Sequence, residues 1–228
     1  MIKSLLIDID ETLLHSRYAN NTGSLMQILP AAAEHFGMKR AEAERRVTWV
    51  KENISWWCWG DFIKKLEMNP AQFWEYAYHS ESAYLEPAEP ELAGTLSQLA
   101  EAGLKLYVTS NNPEDGIRHK LRLAGIPSGK INTFFSGIFG ATEMQARKLE
   151  KTYWRKVVAA IGDPPETMAV VGDSFIDDCI TPAMAGLKHF FLLNRNGEND
   201  KAVMDGMKLI MSISELSEII ENARCQYA

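Results

Sequence analysis

Short runs of apolar residues recur along the chain, each bounded by polar or turn residues and separated from the next by segments with helical spacing. The clearest runs lie at 3–9, 104–109, 168–171 and 189–193, and weaker ones lie at 133–139 and 208–211. Near-continuous apolar runs of this length are typical of parallel strands that are buried on both faces. Their alternation with helices predicts an α/β fold in which helices cover a sheet.

Helix ends are also marked in the sequence. Asn112 followed by Pro113 predicts a helix with Asn112 as its N-cap, and Gly125 predicts the end of that helix. Ser212 and Glu215 have the spacing of a capping box just before the last amphipathic segment. We therefore expect the chain to close on a surface helix.

The alternation breaks down between residues 14 and 89, where roughly seventy residues pass without a convincing strand. A connection between a strand and a helix usually takes about 2–6 residues, so this segment predicts an inserted domain. Its pattern is helical at 24–36, at 41–50 and after Asn69-Pro70. We predict a main domain of residues 1–14 and 89–228 and a helical domain of residues 15–88.

Composition narrows the classes of partner. Of the 228 residues, 46% are hydrophobic and 24% charged, and the formal net charge is −6. Proteins that bind nucleic-acid polymers usually gather Lys and Arg on one face, so such a partner is not expected. No apolar stretch approaches a membrane span, and the first is too short for a signal peptide. Three scattered cysteines predict free thiols, and we expect a cytoplasmic protein with no membrane partner.

Two carboxylates follow the first apolar run. Asp8 and Asp10 are two residues apart at the end of a predicted strand, so they point to the same face with a spacing of about 6.6 Å. Ligands of open α/β sheets bind beyond the carboxyl ends of the strands. Two such carboxylates repel each other, and Mg²⁺ is the natural ion to neutralise them.

A third carboxylate is expected from another strand. Asp173 follows the apolar run at 168–171 after Gly172, which lets the backbone approach a ligand closely. Asp177 and Asp178 come next, at the start of a predicted helix. Either of them could support the metal site, and either could instead serve as a helix cap.

Thr109 and Ser110 end the apolar run at 104–109. A hydroxyl group and the backbone N–H groups of a following helix start can bind phosphate oxygens. Beside two acidic strand ends, the pair predicts a phosphate contact.

Taken in chain order, these residues resemble the motifs of the haloacid dehalogenase superfamily. The motifs correspond to Asp8-Ile9-Asp10-Glu11-Thr12, to Thr109-Ser110, to a lysine, and to Gly172-Asp173 through Asp178. The family's lysine usually precedes a proline and lies one helix before the last acidic strand. Lys148 is the best positional match, but Leu149 stands where proline is common and Lys151 is a competitor.

The resemblance implies a Rossmann-like parallel sheet with an inserted helical cap. It implies that Asp8 is the nucleophile and Asp10 the general acid/base of a phosphatase. It further implies that Asp8, Asp173 and the backbone carbonyl of Asp10 bind Mg²⁺, with Asp177 and Asp178 just outside these ligands. Thr109, Ser110 and Lys148 would bind the phosphate.

The substrate predicted from this resemblance is a small phosphorylated metabolite. The insert is rich in Trp and Tyr and is similar to the cap of pyrimidine 5′-nucleotidase-like members, so a nucleoside 5′-monophosphate is one candidate. The alternatives are a metal-independent 2-haloacid dehalogenase, a phosphosugar mutase, and a non-catalytic signalling module that carries an aspartyl-phosphate. Asp10 favours phosphoryl chemistry within the family, and the helical insert counts against the signalling module.

Overall fold

The computed structural model describes residues 1–16, 25–53, 59–83, 85–195, 197 and 203–225. The chain forms two compact units, one made of Met1–His15 with Pro87–Ala228 and the other of Ser16–Glu86. Among the described residues, no helix has both the length and the apolar character needed to cross a membrane.

The elements alternate in the main unit and are mostly helical in the other. The strands are β1 (Ser4–Ile7), β2 (Leu14–Ser16), β3 (Leu85–Pro87), β4 (Lys105–Ser110), β5 (Phe135–Gly140), β6 (Met168–Gly172), β7 (His189–Leu193) and β8 (Met207–Ile210). The helices are α1 (Leu25–His35), α2 (Arg40–Asn53), α3 (Trp59–Lys65), α4 (Pro70–Glu81), α5 (Leu92–Glu101), α6 (Glu114–Leu123), α7 (Ile131–Phe134), α8 (Ala141–Met144), α9 (Lys151–Ile161), α10 (Thr181–Met184) and α11 (Glu215–Cys225). A π-helix spans Phe175–Ile180, and 3₁₀ turns span Ser128–Lys130 and Pro165–Thr167.

The main unit is built on a six-stranded sheet in the order β5-β4-β1-β6-β7-β8. Every neighbouring pair is parallel, as in a Rossmann-like fold, so the α/β fold predicted from the apolar runs is confirmed. All four residues of β1 and all five of β6 are buried, which explains why these strands read as continuous rather than alternating apolar runs. The central position of β1 between β4 and β6 places its carboxyl end beside theirs.

The Ser16–Glu86 unit contains α1 to α4 and has its own apolar core. Phe62 and Phe73 are fully buried there, whereas the Trp49 side chain lies largely at the surface. Asn69 caps α4 as predicted, because its side chain accepts hydrogen bonds from the N–H groups of Ala71 and Gln72. Trp56, Trp57 and Tyr84, three of the Trp and Tyr residues of the insert, lie outside the described residues.

Two short strands were not predicted from the sequence. β2 and β3 pair with each other in a separate sheet. They lie at the two ends of the segment that the sequence predicts to be helical. Each has three residues, too few for a period-two pattern to be recognised.

The last helix has half of the predicted capping box. The Glu215 carboxylate accepts the backbone N–H of Ser212 at 3.0 Å. The Ser212 hydroxyl, however, accepts the N–H of Ser214 and donates to Glu89 at 2.8 Å, so it serves a tertiary contact as well as the helix start.

Candidate active site

The carboxyl ends of three neighbouring strands meet at one edge of the sheet. Ile7 of β1 is in register with Val108 of β4 and with Val171 of β6. Asp8 follows at the next level, and its N–H donates to the Val171 carbonyl at 2.9 Å. The sheet therefore brings together the segments that carry the predicted first, second and fourth motifs.

Three carboxylates converge at this edge. One oxygen from each of Asp8, Asp173 and Asp178 lies within 4.8 Å of the other two. Asp8 and Asp178 are buried, and Asp173 is partly buried. Asp178 is fixed by the start of the π-helix, where its Oδ2 accepts the Ser174 N–H at 3.0 Å. Asp178, rather than Asp177, is thus the member of the acidic pair that reaches the cluster.

Lys148 lies between two of these carboxylates. Its Nζ is 2.6 Å from Asp8 Oδ1 and 2.5 Å from Asp178 Oδ1, and its side chain is 2% exposed. Lys151, the competing candidate, begins α9 and makes no ion pair with any residue that the structure describes. The structure therefore brings Lys148 to the predicted nucleophile.

The electrostatics of the cluster favour a bound cation. Burial raises the pKa of Asp8 well above its usual range, and the nearby Asp178 and Asp173 raise it further although Lys148 opposes them. Burial, followed by the charge of Asp178, raises the pKa of Asp173 to about 7. When ionised, three carboxylates against one ammonium leave two negative charges uncompensated. A divalent cation that binds oxygen ligands fits both this charge and this donor set.

The Lys148 ammonium stays charged in this environment. Burial lowers the pKa of Lys148, but Asp178 and Asp8 outweigh that effect and hold it well above its ordinary value. Lys148 is therefore a permanent positive charge beside Asp8, as a phosphate-binding lysine needs to be.

The Asp10 carboxylate lies in a different set of contacts. Asp10 Oδ1 forms an ion pair with Lys120 of α6, and Asp10 Oδ2 accepts the side-chain amide of Asn112 at 2.6 Å. The cluster of carboxylate oxygens does not include Asp10, which was expected to meet the metal through its backbone carbonyl.

The prediction that Asn112 caps the following helix is wrong. α6 begins at Glu114, and Pro113 occupies the cap position without a side-chain hydrogen bond. Asn112 instead turns back, because its backbone N–H donates to Ser110 Oγ at 3.1 Å and its amide donates to Asp10. The local sequence is typical of a helix cap, but Asp10 competes for the Asn112 side chain in the folded protein.

The two hydroxyls of the second motif differ in their availability. Thr109 Oγ1 is fully buried and has no hydrogen-bond partner among the described residues. Ser110 Oγ already accepts both the N–H and the amide of Asn112. A buried hydroxyl without a partner costs free energy, so Thr109 is the hydroxyl that fits an absent ligand oxygen.

The backbone of Lys148 is fixed by two residues that the sequence analysis did not single out. Asn111 Oδ1 accepts the Lys148 N–H at 2.9 Å, and the Asn111 amide donates to Asp177 at 3.1 Å. The indole N–H of the buried Trp154 donates to the Lys148 carbonyl at 2.7 Å. These contacts fix the backbone of Lys148, although the next residue is Leu149 rather than the proline usual in the family that the motifs resemble.

Arg195 contacts the turn that follows Asp10. Glu11 has a φ of 53°, a left-handed conformation that is uncommon for a residue with a side chain. Arg195 donates to the Glu11 carbonyl at 2.7 Å and to Glu89 at 2.8 Å. Arg195 therefore links this strained turn to the segment just before α5. Neither Arg195 nor Glu89 carries a sequence signal for that role.

Gly172 provides a test of how tightly the cluster is packed. A Cβ atom at Gly172 would overlap the carboxyl group of Asp178. Gly172→Ala should therefore displace Asp178 from Lys148. We expect it to lower the free energy of unfolding by about 2 kcal/mol and to lower activity as well. Gly129→Ala is the matched control, since a Cβ there meets open space. Equal melting temperatures for the two variants would contradict this packing.

Comparisons with known proteins agree with this geometry. A family model described as haloacid dehalogenase-like hydrolase matches residues 2–186. No curated protein sequence matches the chain.

Solved structures of this class share the fold. A HAD phosphatase from Thermococcus onnurineus is 24% identical, with a TM-score of 0.66 over 96% of this chain and 98% of that one. A HAD hydrolase from Bacillus subtilis bound to magnesium is 18% identical, with a TM-score of 0.59 over 96% of this chain and 98% of that one. A 2-haloacid dehalogenase from Pseudomonas syringae is 20% identical, with a TM-score of 0.67 over 98% of this chain and 100% of that one.

At these identities the structural similarity establishes the fold and leaves the reaction open. The family match covers the segments that carry Asp8, Thr109, Lys148 and Asp173, and it spans most of the chain. This protein belongs to the haloacid dehalogenase-like hydrolases.

Proposed function

We propose that this protein is a Mg²⁺-dependent phosphatase that hydrolyses a small phosphate monoester through an aspartyl-phosphate on Asp8. The observation that carries the proposal is the meeting of Asp8, Asp173 and Asp178, with Lys148 bound to two of them. An anionic nucleophile can approach an anionic phosphate only where positive charge is already in place. Lys148 supplies one such charge, and the acidic cluster attracts another.

In the first step, an Asp8 carboxylate oxygen attacks phosphorus and the bond from phosphorus to the leaving oxygen breaks. Asp10 gives a proton to that oxygen. Lys148 and the Thr109 hydroxyl bind the phosphoryl oxygens while the group moves in line. Thr109 suits this role because its buried hydroxyl has no partner among the described residues.

In the second step, a water molecule attacks the phosphorus of the aspartyl-phosphate. Asp10, now a carboxylate, takes a proton from that water, and Asp8 leaves as a carboxylate. Phosphate is released and both aspartates return to their starting protonation states.

The residues suited to hold Mg²⁺ are Asp8 and Asp173, together with the backbone carbonyl of Asp10 that the family resemblance implies. Both oxygens of Asp178 are already engaged, one by Lys148 and one by the Ser174 N–H, so Asp178 is better suited to orienting the lysine. When bound, Mg²⁺ would neutralise the carboxylates and the phosphate oxygens. A magnesium ion is present in the Bacillus subtilis structure of the same fold.

The proposed substrate is a small phosphorylated metabolite, with nucleoside 5′-monophosphates as the first class to test. The rival activity is metal-independent dehalogenation of a 2-haloacid, since the Pseudomonas syringae dehalogenase has the same fold. The three converging carboxylates favour the phosphatase, because with Lys148 beside them they still leave negative charge that a divalent cation would neutralise.

Steady release of phosphate from p-nitrophenyl phosphate should require Mg²⁺ and stop in excess chelator, because the uncompensated carboxylates would otherwise repel the substrate. The matched assay offers 2-chloropropionate and measures chloride. Phosphate release that is unchanged in chelator, or chloride release without any phosphatase activity, would contradict the proposal. A panel of nucleoside 5′-monophosphates and sugar phosphates then tests the substrate class, and equal weak rates on all members would remove the nucleotide hypothesis.

A further inference from the structure

A second buried lysine lies at the active site, outside every predicted motif. Lys120 is 3% exposed, and its Nζ forms an ion pair with Asp10 Oδ1. It lies on the inner face of α6, beside the buried Ile117 and Leu121. Burying an ammonium carries a large desolvation penalty, which an ion pair often does no more than offset. An apolar residue at this position would therefore stabilise the fold at least as well.

The Asp10 end of this ion pair is open to solvent. The Asp10 side chain is 47% exposed, so its charge could be solvated by water. Ion pairs with an exposed partner contribute little to the stability of a fold. The geometry therefore points to a role of Lys120 in what Asp10 does, rather than in holding the fold together.

Two donors from separate segments fix the orientation of the Asp10 carboxylate. Lys120 approaches Oδ1 from α6, and Asn112 donates to Oδ2 at 2.6 Å from the loop before that helix. A carboxyl group has about four lone-pair positions, so two donors still leave a position for the proton that Asp10 gives to a substrate oxygen or takes from a water. Orientation matters here, because a general acid must lie within hydrogen-bond reach of the atom it protonates.

We propose that Lys120 is a positioning residue that aims the Asp10 carboxylate at the leaving group. This inference rests on the proposed phosphatase function. It predicts that loss of Lys120 harms protonation of the leaving oxygen and spares the attack by Asp8, which Lys148 supports.

The dependence on the leaving group separates these two effects. Phenyl phosphate releases a weakly acidic phenol that needs a proton, whereas 2,4-dinitrophenyl phosphate releases a strongly acidic phenol that does not. We expect Lys120→Met to lower kcat/KM on phenyl phosphate by about 10- to 100-fold, which is part of the roughly 10²- to 10⁴-fold that general acid catalysis contributes. On 2,4-dinitrophenyl phosphate we expect less than about a threefold loss in kcat/KM, since this phenol leaves without a proton and kcat/KM does not include the later hydrolysis of the aspartyl-phosphate. Lys120→Arg should recover much of the lost activity.

Two further variants make the experiment decisive. Lys130→Met removes an exposed lysine and should leave both rates unchanged. Asn112→Ala removes the second donor to Asp10 from a half-buried position, so it should shift the ratio of the two rates in the same direction even if Lys120→Met folds poorly.

An unchanged ratio of the two rates in both Lys120→Met and Asn112→Ala would overturn the inference, even if both rates fall. The wild-type enzyme is measured first on the same two compounds. If it releases no phosphate with Mg²⁺, the proposed function itself fails. If it turns over and only the variant ratio fails to move, the role of Lys120 alone is rejected.

Discussion

Replacing Asp8 with asparagine is expected to lower phosphate release by about a thousandfold or more, because the amide cannot form the aspartyl-phosphate. The fold should survive the change. The pKa of Asp8 is raised in the folded protein by burial, and by Asp178 and Asp173, so the ionised side chain opposes folding. A carboxylate with a raised folded-state pKa makes the protein less stable as pH rises above its unfolded pKa. The melting temperature of Asp8→Asn relative to the wild type should therefore be higher at pH 8 than at pH 5.

Steady-state kinetics with p-nitrophenyl phosphate and thermal unfolding at the two pH values check this expectation. Asp115→Asn is the matched control, since Asp115 is an exposed residue in the first turn of α6. That variant should resemble the wild type in both assays. Retention of more than about a tenth of the activity by Asp8→Asn would show that another group attacks the substrate.

Replacing Lys148 with methionine should remove activity and also destabilise the protein. The change leaves Asp8 and Asp178 buried without the ammonium that both contact. Breaking a buried ion pair by removing one partner costs about 3–5 kcal/mol in the free energy of unfolding. Denaturant unfolding in the presence of chelator measures this loss, because a bound cation would partly replace the missing charge.

Lys151→Met gives the corresponding control three residues away. Lys151 makes no ion pair with the residues that the structure describes, so this variant should keep both stability and activity. A loss in Lys151→Met with none in Lys148→Met would reverse the assignment of the phosphate-binding lysine.

The sheet could be predicted from the sequence because its strands are buried on both faces. The run around β1 lies between β4 and β6, so every side chain of Ser4–Ile7 meets protein rather than water, and the pattern is continuous. The family resemblance then supplied the order of the motifs, and the parallel register brought Asp8 and Asp173 to the same edge.

The contacts around the motifs could not be predicted in the same way. Asn112 looks like a helix cap in its local sequence, and only the folded chain shows that Asp10 competes for its amide. Asn111 and Trp154 bind the backbone of Lys148, which has no sequence signature at either residue. Such pairings depend on which segments meet, and local patterns carry no information about that.

Lys120 is the one residue outside the motifs whose position the sequence does indicate. Ile117 and Leu121 mark the buried face of α6, and Lys120 falls within that stripe at helical spacing. A lysine on the apolar face of an amphipathic helix predicts an acidic partner nearby, because an unpaired ammonium is costly there. Such a position is a usable sign of a charge near a functional site.

The covalent intermediate on Asp8 is the most direct test of the proposed reaction. Wild-type enzyme is mixed with p-nitrophenyl phosphate and Mg²⁺, quenched in acid during turnover, and digested for peptide mass spectrometry. The proposed reaction predicts one added phosphoryl group on the peptide that contains Asp8, absent when chelator replaces Mg²⁺ and absent from Asp8→Asn. Phosphate carried by a different residue would contradict it.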